Sequence, residues 1–171
     1  MARDKVYIIG FMGSGKTTIG KKLASILNWK FTDLDEQIEI TAGKSIKEIF
    51  SVSGEEYFRK LESDALKNTE SLRNTVISTG GGVPCYGNNI DFMLSHGITV
   101  YLNMTPEELT SRLSGEKESR PLISSIENSD LLTYINEKLS EREKYYNKAE
   151  ITINGNSPDI VQLAGIVNTR L

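Results

Sequence analysis

The run Val6-Tyr7-Ile8-Ile9 contains no polar position, the pattern of a strand buried on both faces. From Lys16 to Leu27 the period changes, and Ile19, Leu23, Ile26 and Leu27 recur at helical spacing. Four more short β-rich runs follow, at Lys30–Thr32, Thr75–Thr79, Ile98–Leu102 and Ile151–Ile153, with helical patterns between them. Several helices announce where they begin. Thr105-Pro106-Glu107-Glu108 combines a capping threonine, a first-turn proline and a capping-box glutamate. Ser45 with Glu48, and Ser53 with Glu56, repeat the Ser-x-x-Glu pattern, and Ser157-Pro158 is expected to open the last helix. Gly97 sits where a C-cap belongs after Phe92-Met93-Leu94. A helix is expected over Asp35–Thr41 and a long one from about Ser129 to Lys148. Strands without a polar face, alternating with helices, predict an α/β fold: a parallel sheet between two helical layers. In such sheets ligands bind beyond the carboxyl ends of the strands, so the residues just after each strand carry the functional information.

Composition narrows the classes. A chain of 171 residues is expected to form a single domain, 1–171, and can bury a sizeable core without disulfides. Lys and Arg number 20 against 23 Asp and Glu, a net charge of −3, which argues against a nucleic-acid coat or a general membrane-surface binder. No apolar run approaches the ~20 residues of a membrane helix. Cys85 has no partner cysteine and His96 no partner histidine, so internal disulfides and multi-histidine metal sites are excluded. With no export signal, a cytoplasmic location is expected. No long apolar stripe calls for a partner subunit, and a monomer is expected.

After the first strand comes Gly10-Phe11-Met12-Gly13-Ser14-Gly15-Lys16-Thr17, an ungapped match to Gly-x-x-x-x-Gly-Lys-[Ser/Thr]. Glycines let the backbone wrap with its N–H groups inward, forming an anion nest that feeds a helix N-terminus. Lys16 can reach β- and γ-phosphate oxygens, and the Thr17 hydroxyl can bind Mg²⁺. Position between a buried strand and an amphipathic helix is the context this loop requires, and it predicts a nucleoside triphosphate.

The other strand ends add chemistry. Asp33-Leu34-Asp35 follows the second strand; in an extended segment its two carboxylates share a side, one for hydrated Mg²⁺ and one for a substrate hydroxyl. An aspartate N-cap for the next helix would leave the same trace. Gly80-Gly81-Gly82 follows the third strand and strips it of Cβ atoms, so a ligand can approach the backbone. That strand carries no carboxylate, which leaves Asp33 as the metal candidate. Arg59 and Glu62 share a helix face; their spacing fits an exposed ion pair as well as a guanidinium oriented toward a substrate carboxylate. The stretch from Leu113 to Glu127 is weakly periodic and holds Arg120-Pro121-Leu122, an arginine able to close over a phosphoryl group.

Together these motifs resemble the shikimate kinases. The resemblance spans nearly the whole chain and keeps the family's order. It runs from the phosphate loop through Asp33-Leu34-Asp35, Phe58-Arg59 with Glu62, and Thr79-Gly80-Gly81-Gly82, to Arg112, Arg120-Pro121-Leu122, Arg142 with Tyr146, and Pro158. It implies a phosphate-loop fold with a five-stranded parallel sheet, order 2-3-1-4-5, and a mobile lid at about 113–127. It implies ATP-dependent phosphorylation of the 3-hydroxyl of shikimate with Mg²⁺. Asp35, Lys16 and Arg120 then resemble the catalytic groups. Thr17 and Asp33 resemble the metal positions. Gly13, Ser14, Gly15, Lys16, Thr17, Thr18, Arg112, Arg120, Asn154 and Pro158 resemble the ATP site. Asp35, Phe50, Phe58, Arg59, Glu62, Gly80, Gly81, Gly82 and Arg142 resemble the shikimate site, carried largely by helices over 34–62. One departure is visible: the family often has Arg-x-Pro-Leu-Tyr where this chain has Arg142-Glu143-Lys144-Tyr145-Tyr146. Arg142 also stands beside Glu141 and Glu143, so a helical ion-pair face competes with its assignment to the site.

Two other readings share the phosphate loop. A gluconate or nucleoside-monophosphate kinase would not need the triple glycine with Arg59 and Arg142. A nucleotide-binding regulatory module would not need Lys16, Thr17, Asp33, Asp35 and Arg120 together. A GTPase switch is discounted because the chain has no Asn-Lys-x-Asp guanine motif.

Overall fold

The computed structural model describes residues 3–171. Five strands form one parallel sheet: β1 Lys5–Ile9, β2 Lys30–Asp33, β3 Thr75–Ser78, β4 Ile98–Asn103 and β5 Ile151–Asn154, in the order β2-β3-β1-β4-β5. Central β1 pairs with β3 through Val6–Val76 and with β4 through Val6–Ile98. Every residue of β1 is buried, Lys5 included, as expected for the apolar run Val6–Ile9.

Alternation along the strands sorts the core into two layers. Tyr7 and Ile9 point to one side, where they join Leu66, Met93, Leu131, Ile135 and Tyr146. Val6 and Ile8 point to the other, against Leu23, Leu163 and Val167. The second layer is built by α1 Lys16–Leu27 and α7 Ile160–Asn168. The first is built by α3 Ile46–Asn68, α4 Asn89–His96, α5 Pro106–Leu113 and α6 Asn128–Tyr146. A smaller cluster of Ile38, Ile49 and Phe58 joins α3 to α2 Leu34–Ala42 beyond the edge strand β2.

Both expected capping boxes at Ser45–Glu48 and Thr105–Glu108 are formed. Three local expectations are corrected. Ser53 and Glu56 make no cap; α3 breaks instead at Gly54, whose φ of 79° and ψ of 174° lie where a residue with a Cβ is strained. The last helix is capped by Asp159, which accepts from Gln162 N–H at 2.9 Å, so Ser157-Pro158 lies ahead of it. Asp35 is not extended: β2 ends at Asp33, and Asp35 stands in the first turn of α2. Gly97 does follow α4, donating to the Met93 carbonyl, but with extended backbone.

Candidate active site

The carboxyl ends of β1, β2 and β3 open into one cavity of about 780 Å³. At one end is the loop from Gly10 to Thr17. Gly13 and Gly15 take φ of 79° and 89°, which lets the chain wrap before α1 begins. Lys16 is buried, and its Nζ donates to the Gly10 and Phe11 carbonyls, each at 2.9 Å. Burial pulls its ammonium down to about 8, opposed by the charge of Asp35 and assisted by Arg120. Thr18 also lines the cavity, whereas Ser14 is fully buried beneath the loop with its Oγ unpartnered.

Asp33 divides its carboxylate. Oδ2 accepts from the Thr17 hydroxyl at 2.6 Å, and Oδ1 accepts from the Asp35 N–H at 3.0 Å, capping α2. The capping and metal-facing readings of this aspartate are therefore compatible. Thr17 and Asp33 offer two hard oxygen donors beside the phosphate loop. No group of three or more His, Cys, Asp or Glu residues able to hold a metal occurs among the described residues. This sparse donor set fits Mg²⁺, which keeps several waters and takes its remaining ligands from phosphates.

Asp35 lines the same cavity. Part of its side chain remains open to the cavity, but Oδ1 is buried without a partner. Burial, and then the neighbouring charge of Asp33, push its carboxyl up to about 6.

The far end of the cavity is cationic. Arg59 Nη1 donates to Glu62 Oε2 at 2.6 Å and Nη2 to Glu55 Oε1 at 3.0 Å, so the fork is held by its own helix. Glu62 is buried; that burial pushes its carboxyl up to about 7 against the pull of Arg59. A side chain on the glycine turn would displace this pair. A Cβ at Gly80 would meet Glu62 Oε1 at 2.5 Å, and one at Gly82 would meet Arg59 Nη1 at 2.3 Å. Arg142 reaches the same place from α6. It is buried over the Phe11 ring at 5.2 Å, and its Nη1 has no hydrogen-bond partner. Glu141 pairs with Lys138 instead, and Glu143 faces outward, so the helical ion-pair reading of Arg142 is not realised. Phe50 and Phe58, 4.7 Å apart, form an apolar wall.

Arg120 lines the cavity from the segment after α5, paired with Glu116 at 2.9 Å. Leu113 and Ile123 are fully buried and anchor that segment on either side. Arg112 donates to the Gly13 carbonyl and to Asn156 Oδ1, each at 3.2 Å. Asn154 and Pro158 lie outside the cavity lining; Asn154 Oδ1 instead accepts from the Asn156 and Ser157 N–H groups and shapes the loop that Arg112 touches.

The family model described as "Shikimate kinase" matches residues 12–166. The chain belongs to the shikimate kinase family. A shikimate kinase of Parabacteroides distasonis is 42% identical over 148 residues, covering 86% of each chain. The solved shikimate kinase of Bacteroides thetaiotaomicron superposes with a TM-score of 0.87 at 36% identity, covering 97% of each chain. That of Acinetobacter baumannii, solved in complex with shikimate, gives 0.87 at 33% identity over 98% of this chain and 92% of its own. Lys144 and Tyr145, which stand where the resemblance implies proline and leucine, do not disturb the helix. α6 runs unbroken to Tyr146, Lys144 faces outward over the Tyr145 ring, and Arg142 keeps its inward direction.

Sequence reasoning missed several lining positions. Ser45, Ile46 and Lys47 border the cavity although the spacing marked only a helix start. Tyr146 donates to the Gly81 carbonyl at 2.7 Å, a contact no local spacing announces across 65 residues.

Proposed function

We propose that this chain transfers the γ-phosphoryl of ATP to the 3-hydroxyl of shikimate, giving shikimate 3-phosphate and ADP for aromatic amino-acid biosynthesis. It does so as a monomeric cytoplasmic domain. The supporting observation is the polarity of the cavity: a phosphate loop at one end, Arg59 and Arg142 converging on a glycine turn at the other, and Asp35 between. Shikimate has the matching polarity, with one carboxylate and three ring hydroxyls. The Acinetobacter baumannii relative, solved in complex with shikimate, supports the same acceptor.

In this reading Arg59, oriented by Glu62, and Arg142 hold the acid's carboxylate, with Phe50 and Phe58 against the ring and Gly80, Gly81 and Gly82 presenting bare backbone. Asp35 binds the ring hydroxyls. As the hydroxyl oxygen bonds to the γ-phosphorus and the bond to ADP breaks, the proton passes to the Asp35 carboxylate, which is ionised at neutral pH. Thr17 and Asp33 would hold Mg²⁺, whose charge would offset that of the phosphates. Lys16 and Arg120 offset charge on the transferring group; because the transition state is loose, positioning and charge dominate. Arg112 and the loop from Asn154 to Pro158 flank the adenine. The segment at 113–127 acts as the lid that keeps water from the phosphoryl group.

The test is ADP release from Mg-ATP with shikimate, quinate, gluconate or nucleoside monophosphates as acceptor. Stimulation by shikimate alone is expected. Preference for another acceptor overturns the acid-binding assignment, and ATP binding without stimulation by any acceptor overturns catalysis.

A further inference from the structure

The glycines opposite the two arginines form a β-turn. The Gly80 carbonyl accepts from the Val83 N–H at 3.1 Å, and Gly82, the third residue, has φ −85° and ψ −14°. Those are type I values. A type II turn differs by a flip of the central peptide, here Gly81–Gly82, and needs positive φ at its third residue. Gly82 has no Cβ to forbid that conformation, so the sequence of the turn leaves both orientations open. Because the peptide is planar and trans, a flip would reverse the Gly81 carbonyl and the Gly82 N–H together. Among the described residues no acceptor meets the Gly82 N–H, and nothing within the turn fixes its direction.

One contact from outside does. The Tyr146 hydroxyl donates to the Gly81 carbonyl at 2.7 Å. Tyr146 is fully buried in the last turn of α6, four residues beyond Arg142 and hence on the same helix face. Its ring stacks on Tyr101 with centroids 5.1 Å apart, which leaves the phenol little freedom to turn away. Burial, the largest influence, pushes its ionisation well above the ordinary phenol range, so it stays a donor.

Resting on the acceptor assignment above, we infer that Tyr146 is a positioning residue: its hydroxyl latches the Gly81–Gly82 peptide in one of two orientations and so sets the direction of the Gly82 N–H beside Arg59 and Arg142. The same hydroxyl ties the helix carrying Arg142 to the turn. Without the latch, the acid must select one orientation when it binds, a population tax on affinity that leaves phosphoryl transfer untouched once the complex has formed.

Tyr146→Phe removes the oxygen and keeps the ring, and Tyr101→Phe serves as the control for hydroxyl loss in the same stack. Relative to wild type, Tyr146→Phe is expected to raise KM for shikimate about five- to tenfold, the usual scale for one hydrogen bond. Its kcat and KM for ATP should stay within about twofold, and Tyr101→Phe should change none of the three. In the unliganded protein, the Gly82 amide signal in a ¹⁵N–¹H spectrum should broaden or double in Tyr146→Phe. A merely structural role would move kcat and both KM values together, or lower only the melting temperature; either result overturns the latch. If wild-type protein ignores shikimate, the acceptor assignment falls. The latch is then decided by the amide signal alone: splitting or broadening supports it, and a single unshifted peak refutes it.

Discussion

The N–H of Asp35 donates to Asp33 Oδ1 at 3.0 Å, so the residue that meets Thr17 also fixes the residue proposed to face the acceptor. Removing the Asp33 carboxylate therefore acts twice. Asp33→Ala should lose the α2 cap, about 1 kcal/mol of stability. It should also lower kcat by ~10- to 100-fold and raise the Mg²⁺ concentration needed for half-maximal rate. Denaturant unfolding and Mg²⁺ titration of the rate measure the two effects separately. An unchanged Mg²⁺ requirement would remove Asp33 from the metal site.

The role proposed for Asp35 comes at the expense of stability. Its folded-state pKa of about 6 lies above the ordinary carboxylate value, so between roughly pH 4 and 6 the folded state binds more protons than the unfolded state. Its contribution to stability is present below that window and lost as pH rises through it. Asp35→Asn removes the buried charge and should melt higher at pH 7.5, by on the order of 1–2 kcal/mol, with kcat down ~100-fold or more. A variant that melts lower while activity is retained would contradict both halves.

The pH profile of the wild-type enzyme should have two limbs. kcat/KM for shikimate falls below about pH 6 as Asp35 is protonated. kcat/KM for ATP falls above about pH 8 as Lys16 loses its proton. At saturating ATP the second limb should move to higher pH, because phosphate charge beside Lys16 favours the ammonium. A fixed alkaline limb would place its titration on another group.

Glu62→Gln keeps the shape beside Gly80 but leaves Arg59 Nη1 without its buried anionic partner. KM for shikimate should rise ~10-fold while kcat stays within about threefold. Equal losses in kcat and in kcat/KM would instead assign Arg59 to the transition state.

The sheet was largely legible because runs such as Val6–Ile9 within β1 show no polar face, the pattern of a parallel strand covered on both sides. The phosphate loop was legible because its backbone geometry demands glycines at fixed spacing. What stayed hidden depends on tertiary neighbours. Ser53–Glu56 has the right residues for a cap, but the break falls at Gly54, where positive φ decides. Asp159 outcompetes Ser157 because its carboxylate meets Gln162 N–H. The side toward which Arg142 points was undecidable from its glutamate neighbours. It is set by Phe11 beneath it and by the way α6 packs through Leu131, Ile135 and Leu139.

The central place of β1 also bears on biosynthesis. β1 is buried along its whole length, and its strand partners come later in the chain, at residues 75–78 on one side and 98–101 on the other. At ~5–20 residues per second it waits roughly 3–15 s for its first neighbour. During that interval β1 has neither of its strand neighbours, so the nascent chain should depend on holdase chaperones most strongly before β3 emerges. Slowing translation across residues 10–74 should lower soluble yield, whereas slowing it after β4 should not.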